Sequence, residues 1–163
     1  MVGDLELSPF EQAGEVARML LAGEVGPVQF RAHRRGVKLW VGTGDCPPEH
    51  YEAQLLSRRH VDGGSGAVIE VGFHSERKQD PENDVVLETL MASEAQWRDA
   101  IGDEADGGRF YGNDSWTRVS ELWEHPDLEQ LFAEDEELGF ELGSRVADYV
   151  LALEPLVAPL RTA

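Results

Sequence analysis

Tyr51, Ala53 and Leu55 alternate with His50, Glu52 and Gln54, and further on Ile69, Val71 and Phe73 alternate with Glu70, Gly72 and His74. Apolar residues at period two mark a strand with one buried face. Between the runs lies Asp62-Gly63-Gly64-Ser65-Gly66, a segment of turn composition, so they read as an antiparallel hairpin. No other feature constrains the fold as much. Both strands bury their odd-numbered residues, so their even-numbered residues share the opposite face whatever the turn type. A turn centred near Gly63-Gly64 sets His50 opposite Glu76 and Glu52 opposite His74, with Gln54 and Glu70 on the same face.

An earlier hairpin has the same logic. Val28, Phe30 and Ala32 alternate with Gln29, Arg31 and His33, and after Arg34-Arg35-Gly36 the chain resumes as Val37-Lys38-Leu39-Trp40-Val41. Matching Phe30 and Ala32 to Leu39 and Val41 buries one face and leaves Gln29, Arg31, His33, Lys38 and Trp40 on the other.

Helical spacing frames the strands. Ser8-Pro9-Phe10-Glu11 is a capping box with proline at the first helical position. It opens a helix over 9–22 whose buried stripe is Phe10, Ala13, Ala17, Leu20 and Leu21. Asp80-Pro81-Glu82 opens another, capped by Asp80, with Val86, Leu90, Trp97 and Ile101 as its stripe and Gly102 at its end. Residues 103–115 read as a polar, glycine-rich loop, and Trp116–Trp123 fits either a helix or a strand. A short helix near Asp127–Phe132 precedes a long one with Leu138, Leu142, Val146, Tyr149 and Leu153 inward, its continuation limited by Pro155. The expected fold is α+β: an antiparallel four-stranded meander, with an N-terminal helix and C-terminal helices packed on one face. Residues 1–163 form a single domain, long enough to bury a core without disulfides or metal.

Charge narrows the partners. Thirty-two acidic residues face fourteen basic ones, for a net charge of −18. Residues 1–80 hold nine Lys/Arg against twelve Asp/Glu, so nearly all of the excess falls after residue 80. Such a surface repels phosphate backbones and anionic bilayers, which argues against direct nucleic-acid binding and against a membrane. It suits a solvated surface, a docking face for a basic protein partner, or mimicry of nucleic acid. No apolar run approaches the roughly 20 residues that span a bilayer. Met1–Glu6 lacks the basic and apolar regions of a signal peptide, and the single Cys46 has no disulfide partner, so a cytoplasmic location is expected.

The even face of the second hairpin carries the chemistry. His50, Glu52, His74 and Glu76 form a candidate set for a divalent metal, Zn²⁺ or, with more oxygen ligands, Mn²⁺. His50, Glu52, Glu70 and His74 are also candidates for catalysis, because a carboxylate beside an imidazole makes an acid/base pair. Arg31, His33, Lys38, Trp40 and Gln54 form a candidate ligand-binding face, where an aromatic among cations can hold a small anionic ligand. Other motifs are weaker. Asp62 with Glu76-Arg77-Lys78 resembles the acid and lysine spacing of metal nucleases. Asp80-x-Glu82-x-Asp84 starts like a calcium loop but lacks the glycine at its sixth position. Cys46 with His50 four residues on has the residue types of a nucleophilic pair. With no nucleophile motif, closed metal signature or cofactor loop, the leading expectation is a non-catalytic ligand- or protein-binding module using the open polar sheet face. The alternatives are a metal-dependent hydrolase with a His/Glu site on the second hairpin, and an acidic inhibitor or nucleic-acid mimic of a basic partner.

Overall fold

The computed structural model describes residues 7–161; the Met1–Glu6 segment lies outside them. The protein is α+β, with N- and C-terminal helices and a six-stranded antiparallel sheet in the order β1-β2-β3-β4-β6-β5. The four expected strands are β1 (Val28–His33), β2 (Gly36–Val41), β3 (Glu49–Ser57) and β4 (Ala67–Ser75), which form the meander. Two more strands, β5 (Asp106–Phe110) and β6 (Asn113–Trp123), correct the four-stranded expectation. The supposed loop over 103–115 is therefore largely a strand, and Trp116–Trp123 resolves as strand.

The reason lies in the glycines. A Cβ on Gly107 would sit 2.6 Å from the Met91 sulfur. Met91 lies on α3 (Asp80–Ala92), which crosses over β6. Glycine here permits close helix–strand approach rather than marking a turn. Gly72 in β4 has a different reason: its φ of 156°, which side-chain-bearing residues rarely adopt, would aim a Cβ at the neighbouring strand, 2.4 Å from the Val119 carbonyl and 2.5 Å from the Ser120 Cα. Gly72→Ala is expected to lower stability by about 1–3 kcal/mol, as overpacked sites do. A urea midpoint equal to the parent's would show that β4 and β6 are not seated this closely.

Helix α1 (Pro9–Leu21) begins as expected, with the Ser8 hydroxyl accepting the Glu11 N–H at 3.2 Å. Leu20 departs from the expected stripe and is exposed. Helix α3 breaks at Ser93 before α4 (Glu94–Ile101), and Asp80 lies in its first turn with Gln79 as cap. Trp97 spans the break by donating its indole N–H to the Leu90 carbonyl at 2.8 Å. After α5 (Leu128–Glu134), helix α6 (Leu138–Arg161) runs through Pro155 instead of stopping there. Pro155 lies on the exposed side of α6, where water can serve the carbonyl it displaces. The opposite side is fixed by Leu153, Val157 and the Glu154 carboxylate, which accepts from Tyr51 of β3 at 2.7 Å. Helices α1 and α6 meet closely at Gly143, whose Cβ would lie 2.5 Å from the Ala13 carbonyl.

These helices cover the odd-numbered face, burying Leu39, Tyr51, Ala53, Val71, Phe73 and Val119 in one core. Among the described residues, no helix is long and apolar enough to cross a membrane.

The other sheet face differs from expectation in two respects. Its register pairs His50 with His74, Glu52 with Gly72 and Gln54 with Glu70, two residues from the expected pairing. The shift arises because Arg58–Val61 forms a helical turn, α2, capped by the Ser57 hydroxyl, which moves the centre of the connection. Nor is this face open along its length: His50, Glu52, Glu70 and His74 are all buried. Trp40 is also buried, its indole N–H donated to the Gly44 carbonyl at 3.1 Å.

Candidate metal centre

β3 and β4 bring two imidazoles side by side, their ring centroids 5.9 Å apart. Glu52 lies two residues beyond His50 on β3, and Glu76 two beyond His74 just past β4. Alternation therefore sends all four side chains to one side. One ligand atom from each of His50, Glu52, His74 and Glu76 falls within 4.8 Å of the others. Glu52 bridges the rings: one carboxylate oxygen lies 2.9 Å from His50 Nε2 and the other 3.3 Å from His74 Nδ1. Glu76 Oε2 lies 3.3 Å from His50 Nε2 and 3.2 Å from His74 Nδ1. A tetrahedron with metal–ligand bonds near 2.05 Å has edges of roughly 3.4 Å. The four imidazole–carboxylate separations, counting both Glu52 oxygens, stand at 2.9–3.3 Å, close to that spacing, within a set whose ligand atoms lie up to 4.8 Å apart.

The far nitrogens are fixed independently. His50 Nδ1 lies 2.9 Å from the Pro47 carbonyl, which can only accept, so this nitrogen carries the proton. His74 Nε2 lies 2.8 Å from Glu70, a fully buried carboxylate. Glu70 in turn accepts from Gln54 Nε2 at 2.9 Å and from the Ser120 hydroxyl at 2.8 Å. Arg118 backs Ser120 at 3.3 Å and is held by the carbonyls of Asp106 and Arg109. This is how metal-bound histidines are commonly oriented, with the outer N–H given to a carboxylate or carbonyl.

Both nitrogens of both rings face acceptors, so in protons alone both rings are imidazolium. Burial opposes the charge on His50, yet hydrogen bonding at Cys46, Glu52 and Glu76 and the Glu52 charge outweigh it and raise its pKa to about 11. Burial likewise opposes the charge on His74, and Glu70 and Glu52 raise its pKa well above the usual histidine value. The carboxylates move oppositely. Burial would raise Glu52, Glu70 and Glu76, but the imidazoles hold all three below the usual carboxylate range, Glu76 at about 2. Lys38, with Nζ 3.4 Å from Glu52 and 3.9 Å from Glu76, completes a cluster of three cations and three anions. Two protons point at the Glu52–Glu76 pair, and one divalent cation can replace both without changing the charge of the cluster.

Above Glu52 and Glu76 lies a cleft of about 430 Å³, bounded on one side by β2 and β3 and on the other by the β5–β6 turn. Of the ligand-binding candidates, His33, Lys38 and Gln54 line it. Arg31, paired with Lys38, is exposed, and Trp40 is turned to the loop after β2. Phe110 reaches over the centre, its ring 4.8 Å from that of His74. Sequence reasoning missed Phe110, Arg118 and Ser120. The signal for the last two was Trp116, Arg118, Ser120 and Leu122 alternating with Thr117, Val119 and Glu121.

The weaker motifs do not assemble. Asp62 and Glu76 lie at opposite ends of the nine-residue β4, which spans roughly 30 Å. Asp62 is tied to Arg58 at 3.1 Å. Asp84 pairs with Arg109 at 2.6 Å, and Asp80 and Glu82 lie on a helix rather than a calcium loop. The Cys46 thiol lies beside His50 but donates to the Pro47 carbonyl at 3.6 Å, and an imidazolium held by Pro47, Glu52 and Glu76 has no lone pair to serve it as a base. No known family, curated protein or solved structure matches the chain.

Proposed function

We propose that the chain is a divalent-metal protein, with His50, Glu52, His74 and Glu76 holding Zn²⁺ or Mn²⁺, and that this centre supports metal-dependent hydrolysis of a small ligand in the cleft above it. One observation carries the reading. The outer nitrogens of both imidazoles are anchored, by Pro47 and Glu70, so that the inner nitrogens converge on the same two carboxylates. A metal held by the two imidazoles and one of the two carboxylates would keep an open position toward the cleft, and there it would act as a Lewis acid on water or a ligand oxygen. The donor set is nitrogen and oxygen without thiolate, which suits Zn²⁺ and Mn²⁺.

A second reading has its own support. Every imidazole nitrogen is already paired and the cluster is charge-neutral, so it can serve as a closed ionic network under a non-catalytic binding cleft.

Elemental analysis of untagged protein, with thermal melts in Zn²⁺, Mn²⁺ and EDTA, separates the two. One equivalent of metal is expected. Saturation at 100 times Kd adds about 2.7 kcal/mol, or roughly 5–10 °C for a domain of this size. Metal-free protein whose melt none of the three reagents moves would establish the ionic network instead.

A further inference from the structure

We infer that the cleft binds a planar aromatic ring carrying an anionic oxygen group, with the ring against Trp116 and Phe110 and the anion at Lys38. The inference rests on the reading of this cleft as the approach to the centre, but its support is the cleft's own lining. Three of the four tryptophans spend their indole N–H on the protein: Trp40 on Gly44, Trp97 on Leu90 and Trp123 on Glu121. Trp116 lines the cleft and, among the described residues, its indole N–H has no protein partner. The tyrosines divide the same way. Tyr51 and Tyr149 each donate to a buried carboxylate at 2.7 Å, whereas the Tyr111 hydroxyl, at the cleft, has no hydrogen-bond partner among the described residues.

Most of the remaining polar lining above the floor also offers donors; Gln54, whose Nε2 is given to Glu70, is the exception. Asn113 accepts the Ser115 N–H through Oδ1, leaving its amide hydrogens for the cleft. His33 accepts the Arg35 N–H through Nδ1, so its proton sits on Nε2. Lys38 keeps about a third of its side chain exposed above its carboxylate partners. The wall is therefore rich in donors that need an acceptor-rich ligand. The floor carboxylates Glu52 and Glu76 are matched by the imidazoles and Lys38, so they present little net repulsion to an anion. Shape supplies the other half. Phe110 and Trp116 pack with centroids 5.7 Å apart and form an aromatic wall. The cleft volume of about 430 Å³ falls in the range of small-molecule sites.

Trp116 gives the test its own reporter. In a ¹H–¹⁵N spectrum its indole cross-peak is assigned by its disappearance in Trp116→Phe. Benzoate, phenyl phosphate, benzyl alcohol and cyclohexanecarboxylate are then titrated into Zn²⁺-supplemented and EDTA-treated protein. Benzoate or phenyl phosphate should move that peak with at least tenfold higher affinity than benzyl alcohol or cyclohexanecarboxylate, and whichever binds tighter identifies the anionic group. Lys38→Met should bring the anions down to the level of benzyl alcohol. Neutral or non-planar probes binding as well as the aromatic anions would overturn the inference. So would an indole peak that none of them moves. Perturbation by the aromatic anions in a protein that takes up no metal would sustain this inference and remove the metal centre alone. Metal uptake without any perturbation would remove this inference alone.

Discussion

Glu52→Gln is expected to abolish tight metal binding while leaving a folded protein. Glu52 joins the two imidazoles, one oxygen to each. Glutamine keeps the size and one acceptor oxygen, but its NH₂ group faces an imidazole N–H and cannot serve as an anionic ligand. The loss should exceed the roughly 10–100-fold that removal of an outer partner costs. Glu70→Gln, one step further out on His74, should fall within that 10–100-fold range, because it loosens the ring without removing a ligand. The fold should survive Glu52→Gln with about 1.5–3 kcal/mol less stability, the worth of hydrogen bonds to a charged group. His50 keeps its bond to Pro47 and His74 its bond to Glu70, so neither ring is left unpaired. His74→Ala is a harsher probe. It strips the imidazole from a fully buried Glu70 carboxylate and is expected to cost 3–5 kcal/mol as an unpaired buried charge. Titration of Zn²⁺ by calorimetry gives the order. Parent and Glu52→Gln proteins with the same affinity would exclude this centre, as would an outer variant that loses more than the inner one.

The grouping of these residues was legible in the sequence because it depends only on parity. His50, Glu52, Glu70 and His74 share a face under any register that buries Tyr51, Ala53, Val71 and Phe73, and so their assembly tolerated a register wrong by two. What parity cannot supply is depth. The even face was expected to be open, yet His74 is fully buried, because Phe110 comes over it from a hairpin almost 40 residues later in the chain. That hairpin was hidden by Gly107-Gly108, which has the composition of a loop but the role of a strand lying under α3. Pro155 misled in the opposite direction, since a proline on a solvent-facing side of a helix interrupts one hydrogen bond without ending the element. For the even face and for Gly107 a distant segment set the outcome, whereas at Pro155 the exposed side of its own helix did.

The carboxylates that surround the two buried imidazoles make pH a lever on this protein. His50 has a folded pKa of about 11 against the usual value of 6.5, and His74 is raised in the same sense. A group whose folded pKa is raised contributes stability that is complete below the unfolded value and is lost as pH climbs toward the folded one. Each imidazole can therefore remove up to about 1.4 kcal/mol per pH unit above pH 6.5. The carboxylates act at the other end. Glu76 is lowered to about 2, with Glu52 and Glu70 also lowered, so their contribution is complete above about 4.5 and fades as pH falls below it. Metal-free protein should therefore melt highest near pH 5–6 and progressively lower from pH 7 to 9. Metal reverses that slope, because it takes the place of the two protons that point at Glu52 and Glu76. Two protons released per ion make the apparent affinity rise by about 100-fold per pH unit below the folded pKa values. Zn²⁺ or Mn²⁺ should thus add little to the melting temperature at pH 5 and most at pH 8–9, where the proton-held cluster is weakest. A metal-free melting temperature flat from pH 6 to 9 would show that the imidazoles are not held as cations. A metal-induced shift independent of pH would place the ion somewhere other than between His50 and His74.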